Sequence, residues 1–334
     1  MFQTTTFITA QIEWVFGVIK ARAIERSLPF QETPEGQVLT LPLGKLVAIR
    51  ERNGLRLTLY AEDEMKLHLL QENIDNRLDE VAIAPDRRWS HLTAGKAPPS
   101  LTFSTVVSCV RISPSYYRIS LIGNSLDRFL QNGLHFRLLF PPDSHKGQWP
   151  YISEHGRTEW PGGIAEWHRP VYTTRKFDAK SGILQFDVFS HNGGRVTEWC
   201  KTLTAGMNVA IMGPGGEWFP EAKWLALFGD ETALPAITRI LESIPDSTDA
   251  IATIVVPDAG DIQSFTERAG ISVRWLTRDK SLTLIDALRE LIIPDQDRFV
   301  WFASERSEVN QAREMLLARG LHKSEIRAAS YWTR

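Results

Sequence analysis

The spacing of hydrophobic positions changes along the chain and separates it into regions with different predicted structure. In the first region, apolar residues recur at helical spacing over 9–27 and 62–81, which predicts two helices. Between these helices, three segments with strand character lie at 37–41, 45–52 and 55–60. Asn53-Gly54 separates the last two segments and is typical of a two-residue hairpin turn. The order helix, three strands, helix predicts a small α+β domain.

A polar stretch over 85–99 contains three prolines and is either a linker or a wrapping arm. After it come six short strand-like segments, separated by Gly, Pro, Asn and Asp, at 102–112, 116–122, 135–140, 171–177, 183–189 and 208–212. Helical spacing interrupts them only near 127–130 and 197–202. Six short strands with turns between them predict a small antiparallel barrel.

From Trp224 onward, apolar strands alternate with amphipathic helices. The predicted strands are 224–228, 251–256, 273–276 and 299–303, and the predicted helices are 233–244, 261–268, 281–291 and 305–319. Alternation of this length indicates a parallel sheet with helices on both faces.

The predicted fold class is therefore multidomain, α+β and α/β. Its parts are a small α+β domain over 1–84, a linker over 85–99, a six-stranded antiparallel β-barrel over 100–220, and a doubly wound parallel-sheet domain over 221–334.

Composition limits the partners, cofactors and cellular locations that can be expected for this chain. The net charge of -2 gives no general reason to expect nucleic acid as a partner. The two cysteines, Cys109 and Cys200, exclude a disulfide framework or a cysteine-ligated cluster within one chain, and as plain thiols they fit a reducing cytoplasm. No segment approaches about 20 apolar residues, and Glu13 interrupts the first apolar stretch, so neither membrane insertion nor a secretory signal is expected.

The strand predicted at 171–177 carries the first candidate chemistry. Tyr172, Thr173, Thr174 and Arg175 place an aromatic ring, two hydroxyls and a guanidinium within four residues. Alternate side chains of a strand share a face, so Tyr172 and Thr174 should point one way and Thr173 and Arg175 the other. An aromatic ring beside a guanidinium suits a ligand that has a flat ring and a phosphate.

The second candidate segment ends the next strand and opens a helix. It runs from His191 through Gly193 and Gly194 to Thr197, which is predicted as the helix N-cap. The free backbone N–H groups of Val196 and Thr197 would face an anion. A plain hairpin end, with its glycines needed for positive φ and His191 holding the turn, is the alternative. Together with the segment from Tyr172 to Arg175, this turn predicts a binding site for a flavin dinucleotide.

These two segments, in this order and spacing, resemble the siderophore-interacting protein family, which comprises FAD-dependent ferric-siderophore reductases of the ferredoxin-reductase-like superfamily. Three further stretches agree with the resemblance, at 227–236, 301–305 and 330–334, so that it covers about 101–334. Residues 8–82 separately resemble a small domain family of unknown function that is sometimes fused to such reductases.

The resemblance implies roles for the flavin strand. Tyr172 would pack against the isoalloxazine, Thr173 would bond its polar edge, and Arg175 would neutralise the pyrophosphate. Relatives usually carry an arginine two residues before the tyrosine. Here Pro170 occupies that position and Arg169 lies one step earlier, so the role of Arg169 stays open.

The resemblance also implies a site for NADPH or NADH at the carboxyl ends of the parallel strands. Asp230, Thr232 and Ala233 follow the first of these strands, and Thr232 is predicted either as a helix cap or as a contact at the nicotinamide–flavin junction. Glu305 would bond a ribose or cap the next helix. The terminal aromatics Tyr331 and Trp332 would cover a flavin or adenine face.

Four arginines are candidates for holding an anionic ferric chelate near the flavin, and each could instead be an ordinary surface charge. They are Arg137, Arg278, Arg306 and Arg334.

The predicted function is transfer of electrons from NADPH or NADH through FAD to a ferric siderophore, with release of Fe(II). Outer-sphere transfer requires no acid, base or resident metal, so no catalytic side chain is assigned. Two alternatives remain: a non-catalytic flavin- or siderophore-binding protein, and a reductase that works with a protein partner such as a ferredoxin. The N-terminal domain would be a docking or regulatory module.

Overall fold

A computed structural model describes residues 1–83, 86–90, 94–131, 133–216, 221–265, 268–278 and 282–334. The chain forms two compact units, one of Met1–Thr102 with Leu139–Arg169 and one of Phe103–Leu138 with Pro170–Arg334. The segment 139–169 lies, in sequence, within the stretch predicted as barrel, yet it packs with the N-terminal residues.

The first unit contains a five-stranded antiparallel sheet in the order β1-β5-β4-β3-β2. Its strands are β1 (Phe2–Ile8), β2 (Phe30–Thr33), β3 (Gly36–Leu41), β4 (Gly44–Glu51) and β5 (Gly54–Ala61), and its helices are α1 (Ile12–Glu25) and α2 (Glu64–Glu80). The core joins sheet residues such as Leu46, Leu55 and Leu57 to Val15 and Leu67 of the two helices. The predicted helices and three strands are present, whereas β1 and β2 were not predicted.

The hairpin between β4 and β5 is offset from its prediction by one residue. Glu51 pairs with Gly54, so the two connecting residues are Arg52 and Asn53 rather than Asn53 and Gly54. Gly54 is required for another reason. A Cβ there would lie 2.5 Å from the carbonyl oxygen of Ile8, so only glycine lets β1 lie this close to β5.

A buried polar joint, formed by Asp75, Arg87 and Trp89, fixes the arm 86–90 to helix α2. The side chain of Arg87 is fully buried and pairs with Asp75 and, at 2.8 Å, with Asp79. The indole of Trp89 donates to Asp75 at 3.0 Å, and Arg157 of the 139–169 segment pairs with Asp79. The arm 86–90 therefore wraps the domain, whereas Pro85, part of the predicted linker, lies outside the described residues.

The 139–169 segment contributes the small hairpin of β9 (Tyr151–Ile152) and β10 (Thr158–Glu159) to this unit. Gln71 of α2 donates to the carbonyl oxygen of Gly156 at 2.5 Å. The N–H of Trp89 donates to the carbonyl oxygen of His155 at 2.9 Å. Helix α2 and the arm 86–90 are thus both bound to this hairpin.

The second unit begins with a closed six-stranded barrel in the order β11-β12-β7-β6-β13-β8. Its strands are β6 (Leu101–Ser113), β7 (Tyr116–Gly123), β8 (His135–Leu139), β11 (Val171–Asp178), β12 (Ile183–Phe189) and β13 (Asn208–Gly215), and α3 (Arg195–Thr202) follows β12. The predicted six-stranded antiparallel barrel is confirmed.

The rest of the second unit is a parallel five-stranded sheet in the order β16-β15-β14-β17-β18. The strands are β14 (Trp224–Gly229), β15 (Asp249–Val256), β16 (Ile271–Thr277), β17 (Arg298–Glu305) and β18 (Ile326–Trp332). Helix α4 (Leu234–Ser243) packs on one face, and α5 (Leu284–Glu290) and α6 (Arg306–Ala318) pack on the other. The predicted doubly wound sheet is confirmed, and β18 is an additional strand.

One predicted helix of this sheet is wrong in its described part. Residues 261–265 form no helix beyond a short 3₁₀ turn at Ala259–Asp261. Residues 266 and 267 of the same prediction lie outside the described residues. So does residue 281, at the start of the helix predicted over 281–291. The carboxylate of Asp261 is buried and accepts from Ser113 Oγ at 2.6 Å and from the Ser115 N–H at 2.8 Å. This segment therefore bonds to the barrel and does not continue as a helix.

Arg239 of α4 ties the parallel sheet to the barrel. Its buried guanidinium donates to three carbonyls of the connection between β7 and β8, those of Phe129, Leu130 and Leu134, at 3.1, 2.9 and 2.9 Å. Burial lowers the pKa of Arg239 to about 10. Beside it, the Tyr116 hydroxyl of β7 donates to the carbonyl oxygen of Glu231 at 2.7 Å. The turn after β14 is therefore fixed against the barrel.

Across the described ranges, no helix combines the length and apolar character needed to cross a bilayer.

Replacing Asp75 by alanine should lower the free energy of unfolding by about 1–3 kcal/mol, because the buried side chains of Arg87 and Trp89 lose a shared acceptor while Asp79 still pairs with Arg87. Chemical denaturation of the full chain, followed by circular dichroism, measures this change. The control is Glu80→Ala, which breaks an exposed pair with Arg77 at 3.0 Å and should cost less than about 1 kcal/mol. Equal losses in the two variants would contradict the role given to the joint.

Candidate functional site

The predicted flavin strand is β11, which pairs with β8 in the barrel wall. Val171, Tyr172 and Thr173 lie opposite Arg137, Phe136 and His135 respectively. The Tyr172 ring lies 5.5 Å from that of Phe186, and burial raises the pKa of its phenol. Thr173 and Thr174 are both buried, and the strand is irregular immediately after Thr174.

Arg175 is already engaged with protein. Its guanidinium binds both carboxylate oxygens of Glu242 on α4, at 2.5 and 2.7 Å. In the part of the chain that the structure describes, two buried atoms of this strand have no hydrogen-bond partner, Thr174 Oγ1 and Arg175 Nε. Buried polar atoms are normally satisfied, and a ligand with phosphates and a polar ring edge would satisfy these two. The strand therefore fits a flavin dinucleotide.

The glycine turn differs from its prediction in the position of the cap. Helix α3 begins at Arg195 and its N-cap is Gly194, so the prediction of Thr197 as N-cap is wrong. Thr197 lies in the first turn, and its hydroxyl accepts from the backbone N–H of His191 at 3.1 Å. A Cβ on Gly194 would lie 2.7 Å from the His191 ring. Gly194 leaves room for the His191 ring and Thr197 bonds the His191 backbone, so both residues stabilise this turn.

The turn still presents donors. Gly193 has a φ of 75°, which favours glycine. The backbone N–H groups of Val196 and Thr197 belong to the first turn of α3, where a helix offers them no internal partner. Their predicted contact with a phosphate stays a prediction.

The turn after β14 is organised by Asp230. One carboxylate oxygen accepts from the Thr232 N–H at 2.9 Å and from its hydroxyl at 2.6 Å. The other accepts from the Trp332 indole at 2.7 Å. The N-cap of α4 is Ala233, so the prediction that Thr232 caps this helix is wrong. This turn lies between β14 and β17, where the strand order reverses and open sheets bind ligands.

Glu305 caps α6. Its carboxylate accepts from the Ser307 N–H at 2.7 Å and from the Ser307 hydroxyl, and these bonds lower the pKa of Glu305. The backbone N–H of Arg334 lies 3.5 Å from the same carboxylate. The capping alternative therefore describes the structure, and a contact of Glu305 with ribose stays a prediction.

His135 is a site residue that sequence reasoning did not identify. Its Nδ1 lies 3.1 Å from Thr173 Oγ1, and its Nε2 lies 3.0 Å from the Tyr331 hydroxyl. Burial, together with the charges of Arg239 and Arg327, lowers its pKa to about 4. Tyr331 lies 196 positions away in the chain, so only the fold brings the two rings together.

The four candidate arginines differ in their surroundings. Arg278 pairs with the buried carboxylate of Glu231 at 2.6 Å, and burial raises the pKa of Glu231 despite this cation. Arg334 lies over the Trp332 ring at 5.8 Å. Arg137 and Arg306 are exposed, the first on β8 and the second at the start of α6.

Among the described residues, no group of three or more histidine, cysteine, aspartate and glutamate side chains could hold a metal ion.

Two family models match the chain. Residues 105–218 match the siderophore-interacting FAD-binding domain, and residues 222–334 match the siderophore-interacting protein domain. Together they cover the barrel and the parallel sheet.

Relatives with assigned functions match the same region. The chain is 31% identical over 237 residues, 68% of this chain and 91% of the relative, to the NADPH-dependent ferric-chelate reductase of Escherichia coli. It is 28% identical to the ferric vibriobactin reductase ViuB of Vibrio cholerae, over 67% of this chain and 86% of the relative. A crystal structure of a siderophore utilization protein from T. fusca superposes with a TM-score of 0.62 at 30% identity, covering 72% of this chain and 96% of that one.

Arg175→Gln should weaken FAD binding by about tenfold or more, because charge-assisted hydrogen bonds contribute about 1.5–3 kcal/mol. Fluorescence titration of cofactor-free protein measures the dissociation constant. Riboflavin, which has no phosphate, serves as the second ligand, and its affinity should not change. Arg289→Gln, at an exposed pair with Asp286, is the matched control. An equal loss for FAD and riboflavin would contradict a phosphate contact.

Proposed function

The chain belongs to the siderophore-interacting protein family, and we propose on that basis that it is an FAD-dependent ferric-siderophore reductase. The observation that carries the proposal is the path of the terminal strand. Tyr331 bonds His135 next to the predicted flavin strand, and its neighbour Trp332 bonds Asp230 in the predicted nucleotide turn. Hydride transfer requires the two cofactor rings to meet, and two adjacent residues of β18 join the two predicted sites.

Bound FAD would couple a two-electron hydride donor to a ferric acceptor that takes one electron at a time. On the protein side, Tyr172 lines the ring site and Thr173 meets the polar edge. Arg175 and the N–H groups of Val196 and Thr197 bind the pyrophosphate. To bind phosphate, Arg175 would give up part of its contact with Glu242.

The nicotinamide cofactor would bind at the carboxyl ends of β14 and β17. Asp230, Thr232 and Ala233 form the turn at this edge, and Glu305 lies at the end of the neighbouring strand. We assign NADPH as the donor because the E. coli relative is named as NADPH-dependent. NADH or a ferredoxin remains the alternative donor that the experiment below distinguishes.

The acceptor would be an anionic ferric siderophore attracted by exposed arginines. Arg137 extends from the strand that pairs with the flavin strand, and Arg306 and Arg334 lie next to Glu305 at the edge of the sheet. Arg278 stays in this set, since its side chain is 41% exposed although it pairs with Glu231. We place the reaction in the reducing cytoplasm, in keeping with the two free thiols of Cys109 and Cys200.

The purified protein should show the visible absorption bands of a flavin, and adding NADPH under anaerobic conditions should bleach them. A ferric catecholate added afterwards should restore the bands and release Fe(II), which a ferrous chelator detects. Bleaching by NADH alone, or by reduced ferredoxin alone, would reassign the donor. A protein that binds no FAD, even when FAD is added, would overturn the proposed function.

Arg137→Gln should raise the KM for a highly anionic ferric tris-catecholate about twofold to fivefold, in line with the loss of one screened charge interaction. The KM for a neutral ferric trihydroxamate should stay the same, and the salt dependence for the catecholate should flatten. Steady-state kinetics at several ionic strengths measure both effects. Arg289→Gln is again the control, and an unchanged KM for the catecholate would exclude Arg137 from the substrate site.

A further inference from the structure

Three side chains form a continuous hydrogen-bonded series inside the second unit. Thr173 Oγ1 lies 3.1 Å from His135 Nδ1, and the Tyr331 hydroxyl lies 3.0 Å from His135 Nε2. Thr173 is 5% exposed, so little water competes for its hydroxyl. The series therefore connects the predicted flavin-contacting hydroxyl to the terminal strand.

Counting hydrogens limits the series to two arrangements. A neutral imidazole carries one N–H, and each hydroxyl carries one proton. In the first arrangement, Tyr331 donates to Nε2 and the Nδ1–H donates to Thr173, which leaves the Thr173 proton directed away from the ring. In the second, Thr173 donates to Nδ1 and the Nε2–H donates to Tyr331. Thr173 can then offer only a lone pair to a third partner.

The surroundings of His135 keep its ring neutral, which both arrangements require. The groups that act on its charge are Arg239 from α4 and Arg327 from β18, both cationic, and with burial they lower its pKa to about 4. The ring is therefore neutral at physiological pH, and the two arrangements differ in its tautomer and in the directions of the two hydroxyl protons. On one side a Cβ at Gly216 would lie 2.6 Å from His135 Cδ2, and on another Tyr331 meets the ring edge-on at 5.5 Å.

We propose that His135 is a positioning residue that switches the Thr173 hydroxyl between hydrogen-bond donor and acceptor by exchanging tautomers, with Tyr331 completing the series. The inference rests on the proposed function. The polar edge of an oxidised isoalloxazine presents an acceptor nitrogen that becomes an N–H donor on reduction. One fixed hydroxyl direction would favour one redox state. A neutral histidine behind Thr173 lets the same side chain satisfy both states. In the exchange the ring gives its Nδ1 proton to water and takes one from water at Nε2, or the reverse, so the number of protons on the protein does not change.

The first test needs no cofactor. Protein labelled with ¹⁵N-histidine reports the protonation and tautomer of His135 by NMR, with His135→Phe used to assign its signals. His135 should stay neutral from pH 7 to pH 5, where an ordinary histidine titrates near 6.5. Tyr331→Phe should change its tautomer ratio. A His135 that titrates near 6.5, or that does not respond to Tyr331→Phe, would overturn the proposal whether or not FAD binds.

The second test compares the two redox states. With FAD bound, the tautomer ratio of His135 should invert when dithionite replaces air, and Thr173→Val should abolish that response. His135→Phe keeps the edge-on ring contact and should change the ratio of the dissociation constants for oxidised and reduced FAD about tenfold, which is about 30 mV in a two-electron couple. Tyr331→Phe should shift the potential in the same direction, and the double variant should add little.

Tyr117→Phe deletes a barrel hydroxyl outside the series and should leave the potential unchanged. Bound FAD whose potential is the same in wild type, His135→Phe and Tyr331→Phe would refute the switch and leave the reductase assignment standing. Failure to bind FAD would remove the proposed function and the flavin role of the series together. The cofactor-free NMR result would still decide separately whether the hydrogen-bonded series exists.

Discussion

The site depends on the buried guanidinium of Arg239, which fixes the parallel sheet to the barrel. It donates to the carbonyls of Phe129, Leu130 and Leu134. The Leu134 carbonyl also accepts from the Thr174 N–H at 3.1 Å, so it is the Phe129 and Leu130 carbonyls that would lose a donor, at about 1–3 kcal/mol for each one left unsatisfied. The flavin strand and the nucleotide turn come from the two sides of this junction. Arg239 therefore helps to set the distance between them, although it belongs to neither segment.

Local pattern was sufficient for most of the fold, and it failed where a strand depends on distant partners. The six barrel strands and the alternation of strands and helices carry their own periodicity. In β1, Thr4 and Thr6 occupy buried positions, so the expected apolar alternation is hidden. Strand β18 has mixed burial and is defined by parallel pairing with β17. Asp261 bonds to the barrel, and the helical pattern of its own segment gave no sign of that distant contact.

The sequence predicted which residues line the candidate site, but not which other residues of the protein they contact. The sequence placed Tyr172 to Arg175 on a strand and His191 to Thr197 at a glycine turn. It could not show that Glu242 engages Arg175 or that Glu231 engages Arg278, because each pair joins separate elements. His135 could not be identified from the sequence for the same reason. A lone histidine at a strand start carries no motif, and its importance comes from the cross-strand register with Thr173.

The N-terminal unit is discontinuous in sequence, since it includes residues 139–169 as well as the first hundred. Synthesis on the ribosome proceeds from the N-terminus, so this unit stays incomplete until Arg157 and its hairpin have emerged, after three barrel strands have already been made. Folding of the two units is thus interleaved in time. A truncation that removes the first hundred residues would strip the hairpin of Gln71 and Asp79. Removal of the N-terminal residues would therefore expose the face of the 139–169 segment that these contacts cover.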